Sequence, residues 1–333
     1  NLSVNHPPSF DAASAQIRAA FHAGQMPVEL QAELQSAYAE LGQTPVAVRS
    51  SATAEDLPDL SFAGQQDTLL NVIGDVQLLA AVITCWSSLW TARAISYRLR
   101  NHITHDEVSL AVVVQLMVAS DVSGVLFTVN PLTGQRRESV IDATFGLGEA
   151  LVSGQVEPDH IVATHDGKVL SHTLGSKSIL TRGKPDGGIE TILAKADQRS
   201  SLSDDEIRQL VALGQQVQTE YGTPQDIEWA FVAGKLYLLQ ARPITSLFPV
   251  PEIQFAPLKI WFSFGAVQGL LAPISPLGRS VLQYTLNHAA LVFGAPPATA
   301  QNTVMQAAGE RLWMDVSGVL RHPMGKHIYQ RIL

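Results

Sequence analysis

The chain has 333 residues and a formal net charge of −8, and an acidic chain without a basic run is a poor candidate for binding nucleic acid. Its single cysteine, Cys85, excludes an internal disulfide and a cysteine-built metal site, so we expect a reducing, cytoplasmic location. No apolar run reaches the ~20 residues that a membrane span requires, so no membrane partner is expected.

The first third of the chain has a mostly helical pattern. Apolar spacing predicts two helices within residues 10–42 and then a strand over residues 44–51. Residues 52–67 have a loop-like composition, residues 68–72 predict a second strand, and residues 76–100 have a helical pattern.

From residue 108 onward the pattern changes to strands. The predicted elements, in chain order, are strands at 108–118, 124–129 and 139–143, a hairpin over 160–177, a helix over 203–222, and strands at 227–232 and 236–241. Ser203 and Glu206 have the spacing of a capping box, which marks the start of the helix. Helices followed by strands indicate an α+β architecture.

The composition changes after residue 246. Prolines within residues 248–251 indicate a linker, and residues 260–333 have a mostly helical pattern broken by glycine and proline. About 80 residues with scattered apolar positions make a weak independent domain. We therefore predict one domain over residues 1–245 and, over residues 246–333, a linker and the start of a mostly helical second domain.

The last two predicted strands carry polar residues that suit a metal–phosphate site. With a three-residue turn at 233–235, Glu228 lies opposite Gln240. Arg242 follows Gln240 on the same face, because side chains alternate along a strand. Carboxylate and amide oxygens suit Mg²⁺, and a guanidinium can bind phosphate through two hydrogen bonds. This arrangement depends on the turn, because a two-residue turn would separate Glu228 from Gln240. The simpler alternative to a metal–phosphate site is an exposed hairpin with a surface Glu–Arg pair.

An arginine at the end of an early strand marks a second candidate anion site. Arg49 follows an apolar strand and precedes Ser50 and Ser51. Gly64, in the loop that follows, would let the backbone approach a ligand closely. The alternative is a strand end that is capped by the two serines. The sequence contains no glycine-rich phosphate loop ending in lysine, so a P-loop is not predicted.

Two weaker signals come from the middle of the chain. Gln115 interrupts an apolar strand, where its amide can bond an adenine edge with Met117 against the ring. A buried glutamine bonded to neighbouring backbone is the more common arrangement. Gly146 and Gly148 suggest a turn into a helix, a signal that is weak alone.

Four segments resemble a known family in sequence and in order. They are Val46-Ala-Val-Arg-Ser-Ser-Ala-Thr-Ala-Glu-Asp-Leu-Pro, Ser61-Phe-Ala-Gly-Gln-Gln-Asp-Thr, Gly124-Val-Leu-Phe-Thr-Val-Asn-Pro, and Asp226-Ile-Glu-Trp with Leu239-Gln-Ala-Arg-Pro. These segments are similar to the phosphoenolpyruvate synthase and pyruvate phosphate dikinase group over about residues 15–245. The resemblance implies a partial ATP-grasp nucleotide-binding domain, with ATP and Mg²⁺ as its cofactors.

The resemblance also implies a role for each matching residue. Arg49 corresponds to an arginine on the nucleotide phosphates and Arg242 to one at the terminal phosphate, and both would take part in catalysis. Glu228 and Gln240 correspond to the metal-holding pair. The remaining correspondences are Gly64 and Thr68 in the loop over the phosphates, Gln115 at the adenine edge and Met117 beside the base.

The sequence departs from the family pattern at two points. It has no Gly-Gly-Lys-Gly segment, which in the family carries a phosphate-binding lysine. It also has no Thr-x-x-Gly-Gly-x-x-x-His segment, whose histidine takes the phosphate in the family. We therefore expect a lysine segment and a phosphohistidine domain as partners in a longer chain. By itself this chain is not expected to complete the family reaction.

The segments after residue 246 help to choose the branch of the family. Residues 273–279, 311–317 and 320–325 are similar in layout to rifamycin phosphotransferases, whose antibiotic-binding domain follows the ATP domain. The resemblance implies an enzyme that transfers the β-phosphoryl group of ATP through a phosphohistidine to a small-molecule acceptor. Two alternatives stay open, a non-catalytic nucleotide-binding module and an ATP-grasp carboxylate–amine ligase.

Overall fold

The chain divides into two units, Asn1–Ser246 and Leu247–Leu333. The structure is a computed structural model that describes residues 8–53, 56–57, 60–61, 68–101, 103–104, 108–194, 199–245, 247, 250–251, 258–263, 274–292, 304–308 and 311–321. Helices and antiparallel sheets make up the described residues, as expected of an α+β protein.

The first unit contains helices, two larger sheets and short hairpins. Its helices are α1 (Pro8–Ala23), α2 (Val28–Glu40), α3 (Asp75–Ser88), α4 (Ala92–Arg100), α5 (Glu149–Val152) and α6 (Asp204–Tyr221). Its strands are β1 (Val46–Ala52), β2 (Asp56–Leu57), β3 (Leu60–Ser61), β4 (Thr68–Val72), β5 (Leu110–Leu116), β6 (Val122–Phe127), β7 (Glu138–Phe145), β8 (Asp159–Thr164), β9 (Val169–Thr173), β10 (Ile179–Gly183), β11 (Ile189–Leu193), β12 (Gln225–Val232) and β13 (Lys235–Pro243).

Helix α6 shows how local sequence determines the ends of an element. The Ser203 side chain accepts a hydrogen bond from the backbone N–H of Glu206, and the Glu206 carboxylate accepts one from the Ser203 N–H at 2.8 Å. The predicted capping box is therefore present, and Gly222 ends the helix with a left-handed φ of 69°. Ile207 and Leu210 recur at helical spacing and are fully buried in a core shared with β6, β7, β8 and β12.

One sheet has three antiparallel strands in the order β4-β1-β5 and packs against α3. Val46 and Val48 of β1 are fully buried with Leu78 of α3 in this core. Because side chains alternate along a strand, Ala47 and Arg49 lie on the face of β1 that points away from the core.

The second sheet has six antiparallel strands in the order β13-β12-β6-β7-β8-β9. One face packs on α6 through residues that are 0% exposed, namely Leu126, Ile141, Ile161 and Ile227. Directly paired residues share a face, so the opposite face carries the row Gln240, Glu228, Val125, Asp142 and His160. A carboxylate and an amide thus lie on the side of the sheet away from the core.

The prediction of a three-residue turn at 233–235, between β12 and β13, is wrong. Ala233-Gly234 forms a two-residue turn with φ values of 47° and 76°, a combination that suits the twist of a tight hairpin. With this turn and no other irregularity, Glu228 would pair with Leu239 and not with Gln240. A β-bulge that places Leu239 as an extra residue on β13 restores their direct pairing.

The residues predicted to be helical, 76–100, form two helices. α3 ends at Ser88, and α4 begins at Ala92 after Thr91, whose side chain caps the new helix. The helical segment Asp75–Arg100 is long and apolar enough to cross a membrane, judged by its length and composition alone. This differs from the expectation that no segment of the chain would qualify, which was based on uninterrupted apolar runs. The apolar residues of α3 are buried in the core of the first unit, which accounts for its hydrophobicity. A cytoplasmic location stays a prediction.

Hairpin β10–β11 is an element that no local pattern predicts. Its two strands pair with each other, Thr181 of β10 also forms an isolated bridge with Gly146, and the turn between the strands includes Gly187 and Gly188, both at positive φ. Its strands mix apolar residues with threonine, arginine and glutamate, so neither face has a clear alternation. The hairpin is held in place by contacts with distant parts of the chain, and such contacts produce no pattern in the local sequence.

The second unit contains a small sheet as well as helices in its described residues. Its elements are β14 (Trp261–Ser263), α7 (Pro276–Val292), β15 (Met305–Ala308), β16 (Arg311–Asp315) and α8 (Ser317–Arg321). The strands are antiparallel in the order β14-β16-β15, and Met305 and Leu312 are fully buried. The prediction of a mostly helical segment therefore missed three strands, because strands this short show little alternation.

Candidate functional site

A cleft lies in the first unit between the three-stranded and the six-stranded sheet, and its empty space is about 800 Å³ when the part open to solvent is included. We call its two sides the first wall (Ala47, Arg49, Thr68, Leu70 and residues 115–118) and the second wall (Ser123, Gly124, residues 147–149, Glu228, Trp229 and Leu239). Of the eight residues to which the resemblance assigns a role, five line it, namely Arg49, Thr68, Gln115, Met117 and Glu228.

An ion pair joins the two walls. Arg49 Nη2 donates a hydrogen bond to Glu228 Oε2, and the two side chains are 19% and 23% exposed. Charge-assisted hydrogen bonds are stronger than neutral ones, and partial burial weakens screening by water. A guanidinium and a carboxylate therefore face each other across the cleft, each held by the other.

Glu149 is a residue of the cleft that the sequence did not single out. It begins α5 directly after the glycine turn at 146–148 and lies in the second wall. Although Glu149 is exposed at the cleft, partial desolvation raises the pKa of its carboxyl, Glu228 raises it further, and Arg49 lowers it. An acidic residue directly after two closely spaced glycines was the available sequence signal.

Gln115 and Met117 lie in the first wall. Gln115 Nε2 donates to the carbonyl oxygen of Leu239 at 3.5 Å, the outer limit for a hydrogen bond. Leu239 is the bulge residue of β13, so the irregularity that aligns Glu228 with Gln240 also brings a carbonyl to this amide. The cleft thus places an amide and a thioether together in a partly apolar region.

Gln240 and Arg242 lie on the same face as Glu228, but neither lines the cleft in the part of the chain that the structure describes. Arg242 Nε donates to Asp226 Oδ2 at 2.9 Å. Burial raises the pKa of Asp226, and the nearby Arg242 opposes this shift. The arginine of the hairpin therefore pairs with Asp226, whereas Glu228 pairs with Arg49. The surface Glu–Arg pair that the simpler alternative expected does not form.

Gly64 lies outside the described residues, so its place in a phosphate loop stays a prediction. Thr68, from the same sequence segment, pairs with Arg49 across β1 and β4 and lines the cleft. Among the described residues, no group of three or more His, Cys, Asp or Glu side chains could hold a metal ion. A divalent cation in this cleft would therefore need amide, phosphate or water oxygens to complete its coordination.

An α+β unit with such a cleft has the features of a nucleotide-binding domain, and comparison with known proteins identifies its family. Residues 1–250 match the family described as "Pyruvate phosphate dikinase, AMP/ATP-binding domain", and the chain belongs to this family. The family recognition made from the sequence is thereby confirmed.

The similar curated proteins are phosphotransferases and synthases by name. The chain is 43% identical over 313 residues to a rifampicin phosphotransferase of Streptomyces sp, covering 93% of this chain and 34% of that protein. It is 42% identical over 285 residues to the rifampicin phosphotransferase of Bacillus subtilis (strain 168), an alignment that covers 85% of this chain and 31% of that protein. It is 45% identical over 239 residues to the phosphoenolpyruvate synthase of Pyrococcus furiosus, an alignment that covers 67% of this chain and 29% of that protein.

The extent of these matches describes the chain further. It spans about one third of the length of the relatives that it matches. Similarity to the Streptomyces rifampicin phosphotransferase extends over 93% of the chain and so includes much of the second unit, whereas the Pyrococcus synthase covers 67%. The chain is therefore a rifampicin phosphotransferase-like member of the family. The finer assignment of an ATP-grasp fold stays a prediction.

Proposed function

We propose that this chain is the ATP-binding part of a dikinase-type phosphotransferase, which moves the β-phosphoryl group of ATP through a phosphohistidine to a small-molecule acceptor. The observation that supports this most is the meeting of the predicted residues in one cleft. Arg49 and Glu228 are 179 positions apart in the chain and form its central ion pair. The names of the similar proteins support the same class of reaction.

In this proposal the adenine base lies against Gln115 and Met117 of the first wall. An amide group offers both a donor and an acceptor, which matches the edge of adenine, and a thioether packs well on an aromatic ring. Gln115 bonds to the Leu239 carbonyl only at 3.5 Å, so a base can replace this contact at little cost.

The phosphate groups would lie between Arg49 and the hairpin β12–β13. A guanidinium can bind a phosphate through two parallel hydrogen bonds, which fixes orientation as well as charge. Arg49 and Thr68 would hold the phosphates from the first wall, with Gly64 in the loop above them. Arg242 would meet the terminal phosphate, which requires it to exchange Asp226 for the ligand.

Glu228 and Gln240 would hold Mg²⁺. They are directly paired residues on one face, so their Cβ atoms lie roughly 4.5–5.5 Å apart. Two protein ligands are enough, because Mg²⁺ commonly takes only one or two of them besides phosphate oxygens and water. When bound, the cation neutralises the charge that develops on the transferred group. Glu228 would then exchange Arg49 for the cation, which leaves the Arg49 guanidinium available to the phosphates.

The proposed acceptor is a rifamycin-type molecule that the region after residue 246 helps to bind. Similarity to a rifampicin phosphotransferase covers 93% of the chain, and an alignment of this extent includes much of Leu247–Leu333. The lysine segment and the phosphohistidine domain that the reaction needs would come from other parts of the complete protein.

Product analysis on the complete protein with MgATP and rifampicin tests the proposal. We expect AMP, inorganic phosphate and phosphorylated rifampicin. Turnover with pyruvate in place of rifampicin would indicate the synthase branch. Release of ADP would indicate a carboxylate–amine ligase, and nucleotide binding without any turnover would indicate a non-catalytic module.

A further inference from the structure

Hairpin β10–β11 is bound to β4, the strand that carries Thr68 and Leu70 of the first wall, and to Leu147 of the second wall. Within the residues that the structure describes, the hairpin does not line the cleft. Its turn is bound to β4 through Asn71. Asn71 Nδ2 donates to the carbonyl oxygens of Lys184 and Gly188 at 2.8 and 2.7 Å, and the Gly188 N–H donates to the Asn71 carbonyl at 2.8 Å. Asn71 is only 6% exposed, so these hydrogen bonds form in a largely buried environment.

Backbone geometry directs Asn71 toward the hairpin. The pairing of β1 with β4 is irregular between Val46 and Val48, and Asn71 lies in this irregular part with a left-handed φ of 56°. Asparagine adopts this conformation more readily than most residues, because its short polar side chain bonds locally. Leu70, its neighbour, lines the first wall, so the position of Asn71 is linked to that of the wall.

The middle of strand β10 is bound to the second wall. The carbonyl oxygen of Thr181 accepts a hydrogen bond from the Leu147 N–H at 2.9 Å, and Thr181 forms a bridge with Gly146. Gly146 has a φ of 75°, and a Cβ there would lie 2.4 Å from the Thr181 carbonyl oxygen, so the close approach requires glycine. Leu147 and Glu149 then enter the lining of the cleft.

We propose that Asn71 is a positioning residue for the nucleotide site, an inference that rests on the proposed function. Through hairpin β10–β11 it sets the distance between the first wall, which carries Arg49, and the second wall, which carries Glu149 and Glu228. A ligand that contacts both walls binds well only when this distance is correct, and a displacement of 1 Å in such a site can cost up to ~10²-fold in activity.

The direct test is Asn71→Gly, which removes the two side-chain hydrogen bonds and keeps the left-handed φ accessible. The matched control is Asn130→Ala. Asn130 is 5% exposed, and its side chain bonds Glu138, Leu132 and Thr133 at 2.9–3.1 Å. Asn130 lies six residues beyond Gly124 of the second wall, roughly 20 Å along an extended chain.

We expect Asn71→Gly to raise the dissociation constant for MgATP about tenfold in the complete protein, and Asn130→Ala to leave it within about twofold of the original value. Both variants should lower the thermal unfolding midpoint, so stability alone would not separate them. Equal nucleotide affinity in the two variants would overturn the proposal.

A second variant tests the same contact from the hairpin side. A Cβ at Gly183 would lie 2.9 Å from Cγ of Asn71, so Gly183→Ala should displace the hairpin and weaken MgATP binding by a similar factor. In the double variant with Asn71→Gly, the added methyl group has room. The two losses should therefore not add, whereas independent structural damage would add.

Hydrogen exchange without nucleotide separates the failure of this inference from the failure of the proposed function. The Leu147 amide bonds to Thr181 and does not bond to Asn71. It should exchange faster in Asn71→Gly than in Asn130→Ala, and unchanged protection would overturn the positioning role even if MgATP binds. If the unmodified protein does not bind MgATP, the proposed function fails, and the exchange result still decides whether the hairpin couples the walls.

Discussion

The Glu228 carboxylate on β12 accepts a hydrogen bond from the Arg49 guanidinium on β1, and this ion pair joins the two sheets of the first unit across the cleft. The two groups to which we assign the metal and the phosphates therefore neutralise each other when no ligand is bound. Binding of MgATP would replace one ion pair by two new ones, between Glu228 and the metal and between Arg49 and phosphate. This exchange makes the first prediction.

Glu228→Gln should weaken Mg²⁺-dependent nucleotide binding at least about tenfold, or ~1.4 kcal/mol, because a neutral amide is a poorer ligand for a hard cation. Binding of ATP without Mg²⁺ should be unchanged or stronger, because Arg49 loses its partner and becomes available to phosphate. Calorimetric titration with and without Mg²⁺ measures both effects. Asp205→Asn, in the exposed pair with Arg208 on α6, is the control. The same metal dependence in Glu228→Gln and in the original protein would contradict the assignment.

Arg242→Ala should weaken ATP binding more than AMP binding, because we propose that the arginine contacts the terminal phosphate, which AMP lacks. The ratio of the two affinities should change by about tenfold, the expectation for one charge-assisted contact. Competition binding of ATP and AMP to the same preparation gives this ratio directly. Arg208→Ala, which removes an exposed arginine from helix α6, should leave the ratio unchanged. Equal losses for the two nucleotides would place Arg242 away from the terminal phosphate.

Glu149→Gln should slightly increase stability at neutral pH. The pKa of Glu149 is raised in the folded state, so the folded protein favours the protonated side chain, and its contribution is lost as pH rises through the folded pKa. The neutral variant does not have this loss. Because Glu149 is exposed, we expect a gain in thermal midpoint on the order of 1 °C at pH 7. The difference should vanish near pH 4, where free glutamic acid is largely protonated (pKa ~4.3). A gain that is independent of pH would point to a cause other than ionisation.

Lys177→Met should strongly destabilise the first unit. Lys177 and Asp159 form an ion pair whose side chains are both 0% exposed, and Asp159 also accepts hydrogen bonds from the Ser201 backbone and side chain at 2.7 Å. Removing the lysine leaves a buried carboxylate without its cation, which typically costs ~3–5 kcal/mol. Chemical unfolding gives this difference, and Arg208→Ala, in the exposed pair with Asp205, should cost less than ~1 kcal/mol.

The effect of Lys177→Met should also depend on pH. Burial alone would raise the pKa of Asp159, but hydrogen bonds from Lys177, Ser201 and Gly175 lower it below the ordinary value. Its stabilising contribution is therefore present above the unfolded pKa of ~3.9 and is lost as pH falls through the folded pKa. The difference between the variant and the original protein should be largest at neutral pH and smaller below about pH 4. A constant difference would mean that the lysine acts through packing alone.

Much of the first unit follows from local patterns in the sequence. The capping box of Ser203 and Glu206 and the buried strands of both sheets are where apolar spacing and short-range hydrogen bonding place them. The loop-length rule for the β12–β13 turn failed, because a bulge at Leu239 compensated for a shorter turn. Sequence reasoning counted residues in the turn and had no signal for the bulge.

The sequence alone determined which residue types were available and which face of a strand each occupies, because the period of two depends only on the backbone. It therefore placed Gln240 and Arg242 on one face of β13, whereas the alignment of Glu228 with Gln240 depended on the bulge at Leu239. Only the tertiary structure decided the partners, joining Glu228 to Arg49 and Arg242 to Asp226, and placing Glu149 and Asn71 around the same cleft. Such partners depend on how two sheets pack, and packing is set by contacts between residues far apart in the chain.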